Sequence, residues 1–197
     1  MAVSSTMLAL GTPTPQFALP EVRSGQTIRS SQFSDAPALL VVFLCAHCPY
    51  VVHVQPALAQ IARDYARRGL AIVGITSNDI QQYPQDAPDL TAAMADSADL
   101  SFPILYDESQ SVAHAFTAAC TPDFFLFGPD HRLAYRGQID DSRPNRSTDR
   151  PGRGTPDGSH LREAIDAVLA GRPPSGEQFP SIGCNIKWKP NNAPAYS

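Results

Sequence analysis

The sequence predicts an α/β fold with three layers: a central mixed β-sheet flanked by helices, extended by an N-terminal hairpin and a C-terminal tail. Three observations predict it. Apolar, β-branched runs at 39–44 and 70–76 alternate with helical periodicity. An apolar strand–turn–strand signal at 123–138 then adds antiparallel pairing to a sheet that begins as a parallel one. A last amphipathic segment at 159–170 precedes a Pro-rich break.

The elements follow in order. Residues 1–37 are punctuated by Gly11, Pro13, Pro15, Pro20 and Gly25, and Phe17–Leu19 and Gln26–Ile28 can pair as a short hairpin around Ser24-Gly25. Leu39–Leu44 is apolar throughout, as in a strand buried on both faces. Val51, Val54, Leu58, Ile61 and Tyr65 recur at spacings of three and four, which is one helical stripe. Pro49 suits the first helical turn, where its missing N–H costs nothing, and Pro56 should kink the helix. Arg63, Arg67 and Arg68 suit the negative end of the helix dipole, and Gly69 stops it. Leu70–Thr76 is a second buried strand, Leu90–Ala98 a short helix, Phe102–Leu105 a short strand and Ser111–Ala118 another short helix. Asp123–Phe127 and Arg132–Gln138 flank the turn Gly128–His131. Ser159–Ala170 carries Leu161, Ile165, Val168 and Leu169 on one face, and Gly171 with Pro173-Pro174 ends it. Residues 1–172 are expected to form one domain, with a mobile loop over about 138–158. Residues 173–197 are expected to be a tail docked on it through Ile182, Ile186 and Trp188.

Composition narrows the function. A net charge of −4 and a pI near 5.6 argue against a nucleic-acid partner. No apolar run approaches the roughly 18 residues that a membrane span needs. The first ten residues lack the basic start of a signal peptide, so a cytoplasmic location is expected. There a structural disulfide is rare and a CxxC is more often catalytic or metal-binding. Residues 79–108 hold seven Asp or Glu and neither Lys nor Arg, expected as a solvated face.

Cys45-Ala-His-Cys48 is the stretch that carries chemistry. It sits between a buried strand and a helix start, where the partial positive charge of the helix favours a thiolate. Two thiols at that spacing can close and reopen a disulfide. Cys45 is expected to be exposed and nucleophilic, its pKa depressed by the helix dipole and a protonated His47, with Cys48 shielded in the first turn and resolving. A stabilised thiolate stabilises the reduced form and makes the couple more oxidising. Two other readings stand beside this one: a buried thiol pair in an inactive fold, and a zinc site. Tetrahedral zinc takes four ligands, and the chain offers neither a second CxxC nor a tight His pair, so no metal is expected.

These residues resemble the thioredoxin superfamily: Cys45-x-x-Cys48 between strand and helix, Thr121-Pro122 before the hairpin, and a closing hairpin and helix. Gly11–Leu19, His47–Val51, Asp140–Pro144 and Ser181–Lys189 are similar to a peroxiredoxin-like branch, of the alkyl hydroperoxide reductase/thiol-specific antioxidant type. The resemblance implies a cis-proline at Pro122 facing the CxxC, with Thr121 pairing its backbone with a bound peptide and Pro122 packing on the disulfide. It implies thiol–disulfide exchange without a cofactor, with a protein disulfide or a small thiol or peroxide as substrate and a thiol as electron donor. The alternatives are a thiol peroxidase and a redox-responsive binding module without turnover. The peroxiredoxin pattern Pro-x-x-x-Thr/Ser-x-x-Cys is not met: its Pro and hydroxyl positions hold Val41 and Cys45 in one register and Ala38 and Val42 in the other. Typical thioredoxins place Trp before the first cysteine and a buried acid six residues before it, where this chain has Leu44 and Leu39, so either the step that resolves the mixed disulfide is slow or water or His47 replaces that base. Cys120, beside the cis-proline loop, and Cys184, in the tail, are candidate additional redox cysteines, and equally small buried hydrophobes.

Overall fold

The computed structural model describes residues 2–145 and 152–196. Its central sheet has five strands: β4 (Ala38–Phe43), β5 (Leu70–Thr76), β6 (Ile104–Tyr106), β8 (Asp123–Phe127) and β9 (Leu133–Tyr135). Their order is β6-β5-β4-β8-β9; β4, β5 and β6 run parallel, and β8 and β9 antiparallel to their neighbours. The expected mixed sheet is therefore present. All six residues of β4 are buried. Leu40 and Val42 face one core with α1 (Pro49–Tyr65) and α4 (Ser159–Leu169). Leu39, Val41 and Phe43 face the other, with α3 (Ser111–Ala115). This is why the strand reads apolar without alternation. In the second core Phe116 packs edge-on to Phe43, Phe125 and Phe127 at 5.2–6.1 Å, contacts worth about 0.5–1.5 kcal/mol each beyond their area.

The N-terminal hairpin forms as β2 (Ala18–Pro20) and β3 (Thr27–Arg29). Helix α1 begins at Pro49 with Cys48 as its N-cap, and Pro56 lies inside it on the exposed side. Gly69 follows the helix with φ +95°, and a Cβ there would meet Pro37 Cγ at 2.8 Å, so both conformation and space require glycine. Two short strands were not expected: β1 (Ala2–Ser4) and β10 (Ile182–Asn185), which form a second sheet with β7 (Cys120–Thr121) in the order β1-β10-β7. Ile186 is buried, Trp188 is half-buried and tilted against His114 at 4.7 Å, and Ile182 faces solvent at 36% exposure, so the tail's contact runs through the first two.

One expectation is corrected. The acidic stretch is not one solvated face: Asp79, Asp86 and Asp107 are buried, because each accepts backbone or side-chain N–H groups that would otherwise lack partners. Residues 139–145, at the start of the expected loop, are packed. Ile139, Asp140 and Ser142 are buried, and Asp140 Oδ2 accepts the N–H groups of Asp157 and Gly158 at 2.9 and 2.8 Å, closing the segment onto the start of α4. The centre of that loop, 146–151, lies outside the described residues.

Beyond the cores, one ion pair among the described residues is fully buried. Arg136 Nη2 meets Asp123 Oδ2 at 3.0 Å, and the guanidinium also donates to Ser5 Oγ, Phe116 O and the oxygens of Thr117. It lies 3.9 Å from the centre of the Phe125 ring. Arg136→Met should destabilise by about 3–5 kcal/mol in urea melts, because Asp123 would be left buried without its partner; a loss under 1 kcal/mol would contradict that role. Asp140 gives a pH signature. Burial pushes its carboxyl up, but the bonds from Ser142, Gly158 and Asp157 outweigh it, so its pKa falls below the ordinary value. A lowered folded-state value stabilises above the unfolded value and is lost as pH falls through the folded one. Asp140→Asn should therefore cost about 1–3 kcal/mol at pH 7, and the gap to wild type should close in melts below about pH 4.

Candidate active site

The two motif cysteines occupy the junction that the sequence marks: Cys45 just past β4, Cys48 at the N-cap of α1. Thr121-Pro122 is a cis peptide bond and lies against them. Thr121 Oγ1 is 3.3 Å from Cys45 Sγ, and Cys48 Sγ is 3.1 Å from the Thr121 carbonyl, to which the thiol donates. The strand end, the helix start and the residue before the cis-proline thus converge on two sulfur atoms.

Cys45 is not the exposed residue that the motif suggests. It is 1% exposed and Cys48 is 0% exposed. The charge also falls on the other sulfur. The hydrogen bond that the Cys45 thiol gives to Cys48, then burial, then the negative charge of Asp86 all push the Cys45 pKa up. Cys48 is pulled well below the ordinary thiol range by hydrogen bonds from Cys184 first and Cys45 second, with the Val51 N–H and the Thr121 side chain adding to them. Burial opposes that charge, and so does the Thr121 carbonyl, which can accept only from the protonated thiol. The two shifts run in opposite directions, the thiolate being disfavoured at Cys45 and favoured at Cys48.

A buried acid stands beside the motif, though not on β4. Asp86 ends the 3-10 turn Pro84–Asp86. Its carboxylate accepts the Ala46 and His47 N–H groups at 2.9 and 3.3 Å and the Asn78 side-chain amide at 2.7 Å. His47 Nδ1 lies 2.7 Å from Asp86 Oδ2, an ion pair when the ring is protonated. The His47 ring stacks parallel to Tyr83, centres 6.1 Å apart. Sequence reasoning missed Asp86 because it sits within an acidic run. The available signal was its place between Pro84 and Pro88, which stiffens the turn that presents it. Cys45, His47 and Asp86 bring donor atoms within 4.8 Å of one another, three of the four donors that tetrahedral zinc takes. The carboxylate is already committed to three N–H donors and the imidazole, so its evident work is to orient the CxxC turn.

The backbone edge of Thr121, expected to receive a substrate peptide, is occupied by the chain's own tail. Strand β10 pairs antiparallel with β7, Cys184 opposite Thr121 and Asn185 opposite Cys120. The approach is close: a Cβ on Gly183 would lie 2.1 Å from the Thr121 carbonyl oxygen, so only glycine fits there. Nothing in local sequence marks Gly183 for this purpose. Partners opposite each other project to the same side of a ladder, and successive residues to opposite sides. Cys184 therefore shares the face of Thr121, toward the CxxC, and Cys120 the other. Cys120 is buried with its thiol 3.5 Å from the Pro122 carbonyl, and burial raises its pKa. Of the two additional cysteines, the fold brings Cys184 to the pair and turns Cys120 away.

The Asp86 charge has a measurable consequence. Asp86→Asn keeps the shape of the turn and an acceptor for the Ala46 N–H but removes a charge that disfavours the Cys45 thiolate. The pH profile of Cys45 alkylation by iodoacetamide, read by peptide mass, should move to lower pH; an unchanged profile would show that Asp86 does not act on Cys45 electrostatically.

Comparison with known proteins follows from this geometry. No curated protein matches the sequence. Among solved structures, an uncharacterized conserved protein from Geobacillus kaustophilus aligns with a TM-score of 0.89 at 46% identity, covering 97% of this chain and 98% of that one. A hypothetical protein from Sinorhizobium meliloti 1021 aligns with a TM-score of 0.86 at 46% identity, over 94% of this chain and 98% of that one. A thiol:disulfide interchange protein of the thioredoxin family from Chlorobium tepidum TLS shares the fold, with a TM-score of 0.61 at 17% identity over 82% of this chain and 99% of that one. The profile of the AhpC/TSA family matches residues 10–136, a span that holds the CxxC, Asp86, the cis-proline and the whole five-stranded sheet, and the chain belongs to that family.

Proposed function

We propose that this protein is a thiol–disulfide oxidoreductase that cycles Cys45 and Cys48 between dithiol and disulfide. The observation that carries this reading is the meeting of both motif thiols on Thr121 at the start of α1, its hydroxyl 3.3 Å from Cys45 Sγ and its carbonyl accepting from Cys48 Sγ at 3.1 Å. In the reduced pair Cys48 holds the negative charge and Cys45 the proton. Transfer of that proton to Cys48 frees Cys45 as a thiolate. Cys45 then attacks a substrate disulfide, forming a mixed disulfide, and the departing thiolate takes the proton from Cys48. Cys48, again a thiolate, attacks Cys45 Sγ, closes the Cys45–Cys48 disulfide and releases the second substrate thiolate. Two electrons leave the pair and reduce one disulfide. The same steps run backwards in an oxidising protein, and the reduction potential sets the direction. His47 and Asp86 touch the motif and hold its turn. A protein or small-molecule disulfide as substrate, a thiol as electron donor and a cytoplasmic setting belong to this proposal.

A second reading has one observation in its favour. The sequence offers no hydroxyl at the peroxide-holding position, yet the fold brings Thr121 Oγ1 to 3.3 Å from Cys45 Sγ. A buried sulfur beside a hydroxyl suits a small oxidant. Cys45 would attack a hydroperoxide, release the alcohol or water and become a sulfenic acid, and Cys48 would condense with it to the disulfide and water. The missing Pro and Thr/Ser of the peroxiredoxin pattern count against this route.

Equilibration with glutathione buffers, alkylation and peptide mass mapping tests the first reading. A Cys45–Cys48 disulfide should form with a potential above about −230 mV, because a stabilised Cys48 thiolate stabilises the reduced form. Cys45→Ser should reduce disulfide turnover to the uncatalysed background. Failure of any Cys45–Cys48 disulfide to form would overturn the reading, and rapid hydroperoxide consumption with slow disulfide exchange would favour the second.

A further inference from the structure

We propose that Cys184 is a third redox thiol, which takes the disulfide over from Cys45–Cys48 by attack on Cys48 and carries it to the partly exposed tail strand. The proposal rests on the reading that Cys45 and Cys48 form a disulfide. Its basis is placement. Cys184 pairs with Thr121, the residue whose hydroxyl and carbonyl touch Cys45 and Cys48. It shares the face of Thr121 and packs against the core cluster that contains both thiols. Its side chain hydrogen-bonds Cys48. Gly183 allows this approach, since any side chain there would strike the Thr121 backbone. The strand also occupies the edge where an extended peptide would otherwise add to the sheet. The tail thereby sets a cysteine of its own where a substrate strand would lie.

Accessibility gives this arrangement a use. Cys45 and Cys48 are buried, and Cys184 is half-buried. A disulfide closed at Cys45–Cys48 is shielded from a bulky donor. The relay moves it outward. Cys184, as a thiolate, attacks Cys48 Sγ; the Cys48–Cys45 bond breaks, the Cys48–Cys184 bond forms, and Cys45 leaves as a thiolate that takes up the proton that Cys184 gave to solvent. The chain gains and loses no electrons in this step. An external thiol then attacks Cys184 Sγ and displaces Cys48, and a second external thiol releases Cys184, so that two donor thiols become one disulfide and all three cysteines are reduced. Cys120 takes no part, because it lies on the opposite face of the ladder.

The tail is also tied to the rest of the site. Asn78 donates to Asp86 and accepts the Lys187 N–H at 2.8 Å, while Gln110 donates to the Lys187 carbonyl at 2.9 Å and accepts the Lys189 N–H at 2.9 Å. These bonds hold the strand that bears Cys184 in register.

The test equilibrates full-length wild type and Cys45→Ser in a series of glutathione buffers, traps them by acid and alkylation, and maps linked peptides by mass. In wild type, both Cys45–Cys48 and Cys48–Cys184 peptides should appear. Their ratio should stay constant across a tenfold change in glutathione ratio, because the two disulfides are isomers. Cys45→Ser should form Cys48–Cys184 and lose two alkylatable thiols. A wild-type map with Cys45–Cys48 and never Cys48–Cys184 overturns the relay and leaves the exchange reading standing. A wild-type map without Cys45–Cys48 overturns the exchange reading, and the relay with it. The wild-type map decides the matter even if the variant does not fold.

Discussion

The geometry of the active site depends on a buried ion pair that touches neither motif cysteine. Arg136, at the end of β9, neutralises Asp123, and Asp123 accepts the Ala119 N–H at 3.3 Å. Residues 119–123 are thereby fixed at both ends, and Thr121 and Pro122 lie between them. The same guanidinium reaches Ser5 beside β1 and the end of α3, so one side chain locks the small sheet onto the large one. An ion pair this deep carries a desolvation cost, which is tolerated only where several further hydrogen bonds share the charge. Here the serine, the two carbonyls, the threonine hydroxyl and the face of Phe125 meet that requirement.

With the loop so fixed, the two sulfurs experience opposite fields. Cys48 stands at the positive end of α1 and receives hydrogen bonds from two thiols. Cys45 stands beside a carboxylate that the fold has buried. The asymmetry arises from where the donors and the acid lie, not from the order of the two cysteines in the motif.

The tail gives the site its closed character. A free sheet edge at a cis-proline invites any extended chain to pair with it. In this protein β10 fills that edge, and the backbone bonds of Lys187 and Lys189 to Asn78 and Gln110 continue its course over the end of the sheet. Access to Cys45 and the position of the tail are therefore one question. Asn78, bonded to both Asp86 and the tail, joins them physically.

The sequence by itself determined the fold and pointed to a candidate site. Short apolar runs without alternation, bounded by turn residues, marked strands covered on both faces. The stripe from Val51 to Tyr65 and the stop at Gly69 set α1, and the spacing and setting of Cys45 and Cys48 marked the candidate pair. These are local signals, carried by periodicity, by proline and glycine stereochemistry, and by two residues three positions apart. Only the tertiary structure decided how buried that pair is, which sulfur holds the charge, that Asp86 rather than a β4 residue supplies the acid, and that Cys184 rather than Cys120 meets Cys48. Each of these depends on residues distant in sequence meeting in space, and a contact of that kind leaves no periodic mark on the chain.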